Sequence, residues 1–489
     1  MAPSLRVLFA ASEMAPLTKT GGLADVAAAL PIALADLGVD IRVLLPGYRN
    51  VLGNVSRVST IAQLPALGAF PAAKLLAAQA PNGTPVIVLD CPELYDRDGG
   101  PYLDSLGRDW PDNPIRFGLF SFVAFLLSSD RSPGEWRCDV LHCNDWQSGL
   151  GPAYAHWSGR PHAASLMTIH NLAYQGNFAP SFVSRLGLPP QSFDVEGIEY
   201  YGQMSFLKAG IFYADRISTV SPTYAKEIQS EPLGFGMHGL LAGRSESLVG
   251  ILNGIDERAW NPATDPALAA NYDAARLVDK ARNKAELRRR FNLDPAADAP
   301  LFGIVSRLIP QKGIDLVAAC AQQLLDLPAQ LVVLGTGDDR IEQELATIAR
   351  SHSGNVAFVR GFDEALSHVI EAGADIFLMP SRFEPCGLNQ MYSQRYGTLP
   401  VVHRTGGLAD SVVDCTPATL AIGSATGFVF DASTPASFLE AVERAVHAWR
   451  DPDIWRSLQR NAMTKSFGWK SSAGRYLELY RAMLDVQSA

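Results

Sequence analysis

The hexapeptide Thr-Gly-Gly-Leu-Ala-Asp stands twice in the chain, at 20–25 and again at 405–410. Each copy follows a short apolar run, opens a stretch with helical spacing, and is preceded by a basic residue, Lys19 or Arg404. A strand, a glycine turn and a helix repeated near both ends call for alternating β and α elements in two halves. A shared left-handed turn would explain the repeat. Two polar loops facing one ligand, one from each half, would explain it equally, and the residues leave both open.

Apolar runs bounded by turn residues predict strands at 5–11, 39–45, 86–89, 139–142, 166–169 and 217–220. A second series falls at 301–306, 330–335, 356–360, 375–379, 399–403 and 427–430, with helices between. Turn signals crowd the stretch 250–262, so the reading divides the chain near Gly250. The predicted class is α/β, with two doubly wound parallel sheets.

Composition removes whole classes. The 489 residues suffice for at least two cores, and 47% hydrophobic with 19% charged excludes wholesale disorder. With 41 basic and 50 acidic residues the net charge is −9, which speaks against a nucleic-acid or anionic-membrane surface. No apolar run reaches the roughly 18 residues a span needs, and Ser12-Glu13 follows the first strand, so neither a membrane segment nor a signal peptide is expected. Cysteines 91, 138, 143, 320, 386 and 415 lack paired spacing, which predicts reduced, mostly buried thiols and a cytoplasmic protein.

In an open parallel sheet the ligand crevice lies beyond the carboxyl ends of the strands. Asp145, His170 and Asn171 directly follow predicted strands there. Lys19-Thr20-Gly21-Gly22 offers close backbone approach beside a point charge. Arg307 and Lys312, five apart in a loop ahead of a helix, suit a diphosphate. Gly335-Thr336-Gly337-Asp338 is a weaker phosphate or ribose loop. Glu384 stands in the turn between the strand ending at Met379 and the helix predicted from Gly387. The insertion from Asp96 to Asn113, rich in Gly, Asp, Tyr and Pro, reads as a surface loop or a lid.

These residues together resemble the bacterial glycogen synthases and plant starch synthases, the retaining ADP-glucose-dependent glucosyltransferases of GT-B architecture. The resemblance rests on Lys19–Val26, His142–Gln147, Ile169–Gly176, Gln203–Gly210, Val220–Tyr224, Asn253–Asp256, Ser306–Gly313, Pro380–Gln390 and Arg404–Asp410. Broader relatives often carry a second Glu eight residues after the first. Tyr392 stands there in this chain, and Asn389 stands where many members have Thr.

The resemblance implies a first domain, 1–250, on the glucan acceptor side, joined by a returning helix, 470–489. It implies a second, 251–469, on the nucleotide-sugar side, with ADP-glucose between them. Glu384, His170, Arg307 and Lys312 would be catalytic, the two cations holding the diphosphate. Lys19, Gly21, Gly22, Asp25, Asp145, Asn171 and Asn253 would bind the donor, as would Cys386, Gly387 and Leu388. Gly361 and Phe362 would lie near the adenine, and Tyr102 would contact substrate. The partners would be ADP-glucose and an α-1,4-glucan, with neither nucleic acid nor membrane. No metal or other cofactor is expected, since the Asp-x-Asp patterns at 96–98 and 451–453 do not directly follow core strands. A retaining transferase of the same architecture that uses UDP-glucose or another donor, and an inactive glucan-binding homologue, are the competing readings.

Overall fold

The computed structural model describes residues 4–296 and 298–488. The chain divides into two compact units, 1–254 with 469–489, and 255–468.

The first unit is built on strands β1 (Arg6–Ala10), β2 (Asp40–Pro46), β3 (Ser56–Leu64), β4 (Ala73–Gln79), β5 (Pro85–Asp90), β6 (Val140–Asn144) and β7 (Ala164–Ile169). Strands β8 (Asn177–Phe178), β9 (Glu199–Tyr200) and β10 (Gln203–Ser205) form a small antiparallel sheet, followed by β11 (Arg216–Thr219) and β12 (Leu248–Gly250). Among the described residues the large sheet has nine strands, in the order β12-β11-β7-β6-β1-β2-β5-β4-β3. Strands β12 through β5 pair in parallel, and β4 and β3 close one edge antiparallel. Sequence reasoning did not foresee that hairpin. Ser56-Arg57-Val58-Ser59-Thr60 is exposed throughout, so β3 lacks the apolar run that marks a core strand.

The helix Trp469–Ser488 belongs to this unit. Tyr476 and Tyr480 are fully buried in it, and the Tyr480 hydroxyl lies 2.7 Å from Nδ1 of His142 on β6. Each such aromatic contributes roughly 1.5–3 kcal/mol by burial, and the buried imidazole gains a polar partner.

The second unit carries β13 (Leu301–Leu308), β14 (Gln330–Gly337), β15 (Val356–Arg360), β16 (Ile376–Met379), β17 (Leu399–His403) and β18 (Phe428–Phe430). Among the described residues these form one six-stranded parallel sheet, ordered β15-β14-β13-β16-β17-β18. All six strands lie where the apolar runs predict them. Between β13 and β14 the helical stretch breaks at Cys320 into Ile314–Ala319 and Ala321–Asp326.

Among the parallel strands of each sheet the order reverses between β1 and β6 in the first unit and between β13 and β16 in the second. Adjacent connections depart there to opposite faces and leave a crevice at the carboxyl ends. The candidate residues concentrate in the loops leaving those strands. Cys91, Cys138, Cys143, Cys320 and Cys386 are buried, Cys415 is half-buried, and none of the six is in a disulfide. Among the described residues no helix is long and apolar enough to cross a membrane.

Candidate active site

In the first unit the loop after β1 is organised by Glu13, a residue that sequence reasoning missed. Its carboxylate is buried and accepts from Thr20 N (2.5 Å), Thr20 Oγ1 (2.6 Å) and Gly21 N (3.2 Å). The Tyr102 hydroxyl donates to the same carboxylate at 2.6 Å and lies 2.7 Å from Ser12 Oγ. Glu13 is not the N-cap residue of the helix that follows, so no local capping rule pointed to it. It takes the amide of Gly21, a residue expected to bind the donor. Asp25, expected to bind the donor, pairs with Lys19 at 2.7 Å.

The repeated hexapeptides are not built alike. Gly21 is extended, with φ −157°, whereas Gly406 has φ +42°. Among the described residues, nothing within 4 Å would meet a Cβ on Gly21 or Gly22. At Gly406 a Cβ would stand 2.0 Å from the Glu384 carbonyl oxygen, and at Gly407 2.1 Å from that of Cys386. A common left-handed turn is thus ruled out as the reason for the repeat. The first copy is open, and the second braces the Glu384 loop from behind.

The loops after β6 and β7 meet at Asp145. Its backbone has φ 54°, a conformation that L residues hold only when their surroundings enforce it. The enforcing bonds are visible: Asp145 Oδ1 accepts from His170 N at 2.7 Å and from Asn171 N at 3.4 Å. Burial pushes the Asp145 carboxyl up to about 7, against those two amides, and the Glu13 carboxylate adds to the rise. His170 Nε2 lies 2.9 Å from Asn144 Oδ1, and burial pushes the imidazole down to about 3, so it is neutral. Asn171 turns its Oδ1 onto Ala173 N at 3.1 Å. Asn253 is buried, and its Oδ1 has no hydrogen-bond partner among the described residues. An orphaned acceptor of this kind is a place for a ligand hydroxyl.

In the second unit Lys312 Nζ lies 2.5 Å from Glu384 Oε2, which also accepts from Ser381 Oγ at 3.0 Å. The two loops that carry them are tied together. Arg382 N donates to the Gln311 carbonyl at 2.9 Å, Gln311 Nε2 donates to that of Phe383 at 3.2 Å, and Arg382 pairs with Asp315 at 2.6 Å. Gly313 is obligatory between them: it has φ +65°, and a Cβ there would stand 2.0 Å from the Pro380 carbonyl oxygen. Arg307 is exposed at the end of β13, on the strand rather than in the loop where it was expected.

The segment that follows is equally fixed. Cys386 is buried, Gly387 has φ +71°, and Gln390 Nε2 donates to the carbonyls of both, at 3.0 and 2.9 Å. Leu388 precedes the helix Asn389–Arg395, and Asn389 Nδ2 donates to the Val305 carbonyl at 2.6 Å. Tyr392 stacks on Trp260 at 3.7 Å between ring centroids, and Trp260 stacks on His368 at 3.8 Å. Gly361 has φ +133°, and Phe362 beside it is 69% exposed.

Other acids in the sequence reading have structural work. Asp338 caps the helix Asp339–Ser351, and Glu342 accepts from Thr336 Oγ1 and Gly337 N, so that glycine loop is already filled. Asp96 and Asp98 pair with Arg49, and Asp451 caps the helix Pro452–Thr464.

Residues 6–243 match the family model described as the starch synthase catalytic domain, and residues 286–462 match that of glycosyl transferases group 1. The chain is 57% identical to a glycogen synthase of Nitrosospira multiformis, over 99% of this chain and 98% of that one. The chain belongs to the glycogen synthase family. A second member, from Dechloromonas aromatica, is 53% identical over 99% of this chain and all of its own length. The catalytic domain of starch synthase IV from Arabidopsis thaliana, bound to ADP and acarbose, superposes with a TM-score of 0.88 at 34% identity. That match covers 99% of this chain and 100% of the Arabidopsis domain. Membership makes the chain a glycosyltransferase of GT-B fold, in agreement with its two parallel-sheet units.

Proposed function

We propose that the protein transfers glucose from ADP-glucose to the non-reducing end of an α-1,4-glucan, with retention at the anomeric carbon. The observation that carries this reading is the Lys312–Glu384 pair at the strand-order reversal of the second sheet. It sets a cation for a departing diphosphate beside a carboxylate for sugar hydroxyls. The ADP and acarbose bound by the Arabidopsis relative are consistent with this ligand chemistry.

In this reading Arg307 and Lys312 neutralise charge on the leaving ADP, and Lys19 adds to donor affinity. Glu384 holds glucose hydroxyls, while Asp145, the neutral His170, Asn171 and Asn253 attend the sugar. Glu384 already accepts from Lys312 and Ser381, an arrangement that suits a binding group better than a free nucleophile. The reaction is therefore written as same-face attack. The bond from C1 to the phosphate oxygen breaks, the acceptor O4 bonds to C1, and the O4 proton passes to the departing phosphate. Protein cations supply the positive charge in place of a metal ion.

Release of ADP from ADP-glucose, followed with and without glycogen, tests the reading. Release that depends on glycogen and is little affected by excess UDP-glucose supports it. Preferred consumption of UDP-glucose, or no release, would replace it with one of the competing readings.

A further inference from the structure

The Arg116 guanidinium is fully buried, yet its hydrogen-bond partners are neutral oxygens. Nε donates to the Leu94 carbonyl at 2.9 Å, and Nη1 donates to the Pro101 carbonyl at 2.8 Å and to Asn113 Oδ1 at 2.7 Å. The rings of Phe117, Tyr95 and Tyr48 lie 5.3, 5.6 and 6.0 Å from its central carbon. Asn113, also buried, turns its Nδ2 onto the Tyr102 carbonyl at 3.0 Å, where the Trp110 amide donates as well, at 3.1 Å. The carbonyls of Pro101 and Tyr102 are thus held by one connected pair of side chains.

Burying a cation this completely is costly, and folding alone would be served as well by an apolar residue of similar volume. What the pair secures is the position of one side chain. Tyr102 reaches from the insertion to the Glu13 carboxylate and the Ser12 hydroxyl, and Glu13 in turn holds the amides of Thr20 and Gly21. The insertion is therefore a strut. Arg49, paired with Asp96 and Asp98, and Arg97, paired with Asp112 at 2.9 Å, fix its ends.

We infer that Arg116 and Asn113 are positioning residues, which act through Tyr102 and Glu13 to preset the Lys19–Gly22 loop for the nucleotide sugar. This rests on the reading of Lys19 as a donor-binding group. The chain of contacts runs from a buried cation to the donor-side loop, and each link is a hydrogen bond of 3.2 Å or less.

The test compares Asn113→Asp, Tyr102→Phe, their double variant and Lys19→Gln in steady-state kinetics with ADP-glucose and glycogen, alongside melting temperatures. Asn113→Asp keeps an acceptor for Arg116 but sets an oxygen against the Tyr102 carbonyl. It and Tyr102→Phe should each raise KM for ADP-glucose about fivefold with kcat within about twofold. The double variant should be no worse than the weaker single, because both act on one link. Arg116→Lys keeps the cation and gives a second reading if Asn113→Asp folds poorly. A lowered melting temperature with unchanged KM, or additive effects in the double variant, overturns the positioning role. An unchanged KM in Lys19→Gln instead overturns the donor reading of the loop. The non-additivity of Asn113→Asp and Tyr102→Phe in kcat/KM then still decides the strut.

Discussion

Half-buried Lys312 and buried Glu384 form an ion pair, 2.5 Å between Nζ and Oε2, joining loops 72 residues apart in sequence. The pair makes each side chain the other's counterion before any ligand arrives. Substitutions at these positions therefore act on more than the reaction.

Lys312→Ala strands a buried carboxylate as well as removing a cation from the departing diphosphate. Turnover should fall about 10²–10³-fold, and stability by about 3–5 kcal/mol. Glu384→Ala should depress kcat strongly while ADP affinity stays nearly intact. The double variant should recover stability relative to Lys312→Ala, since no unpaired carboxylate remains. Melting temperatures and single-turnover rates read both effects. Additive losses of stability would mean that the pair is not a functional unit.

Lys19 makes a partly exposed pair with Asp25, so Lys19→Gln should change stability by no more than about 1 kcal/mol. Its effect belongs to binding: KM for ADP-glucose should rise more than kcat falls. Kinetics in which kcat alone drops would reassign Lys19 to the transition state.

Asp145 supplies a pH dependence. Its carboxyl is raised from 3.8 to about 7, so the folded chain favours the neutral form. That contribution to stability is fully present below the unfolded value and is lost as pH rises through about 7. Asp145→Asn keeps the side-chain shape and stays neutral. The wild type should therefore lose stability relative to this variant between about pH 4 and 7, and no further above. A difference in melting temperature that does not change with pH would contradict the assignment.

Tyr392→Glu restores the acid that broader relatives carry, and it should be harmful here. The position is buried, with its ring stacked on Trp260. Loss of the stack and burial of an unpaired carboxylate should lower stability by about 2–4 kcal/mol, measurable by denaturant titration. Unchanged stability would show that the stack is incidental.

What could be read in the sequence was set by local rules. Strands β13 to β18 are continuous apolar runs between turn residues, the pattern that a sheet covered on both faces requires. Asp145, His170 and Asn171 were found because residues after parallel strands fall on one side of a sheet. Pairings across long separations were not legible: nothing in the spacing of Lys312 and Glu384 says that they touch, and nothing local predicts that Arg116 holds the backbone at Tyr102. The twin hexapeptides show the limit most plainly. Identical residues take different backbone paths because Glu13 fills one turn and the Glu384 loop packs against the other. Glu13 gave no local signal, since it folds back onto amides seven and eight residues on without being the N-cap residue.

On the proposed role of Arg307 and Lys312 as carriers of the leaving diphosphate's charge, exhaustive chelation should leave turnover essentially unchanged. Loss of activity in EDTA, restored by a divalent ion, would mean that Arg307 and Lys312 do not carry the leaving group.

The central claim is glucosyl transfer that extends a glucan, and it is tested most directly by following labelled glucose from ADP-glucose into glycogen in the presence of chelator. The account predicts label at non-reducing ends in α-1,4 linkage, released as maltose by an exo-acting β-amylase, and a near-complete loss of incorporation in Glu384→Ala. Release of ADP with free glucose and no extended chain, or label in any other linkage, would contradict it.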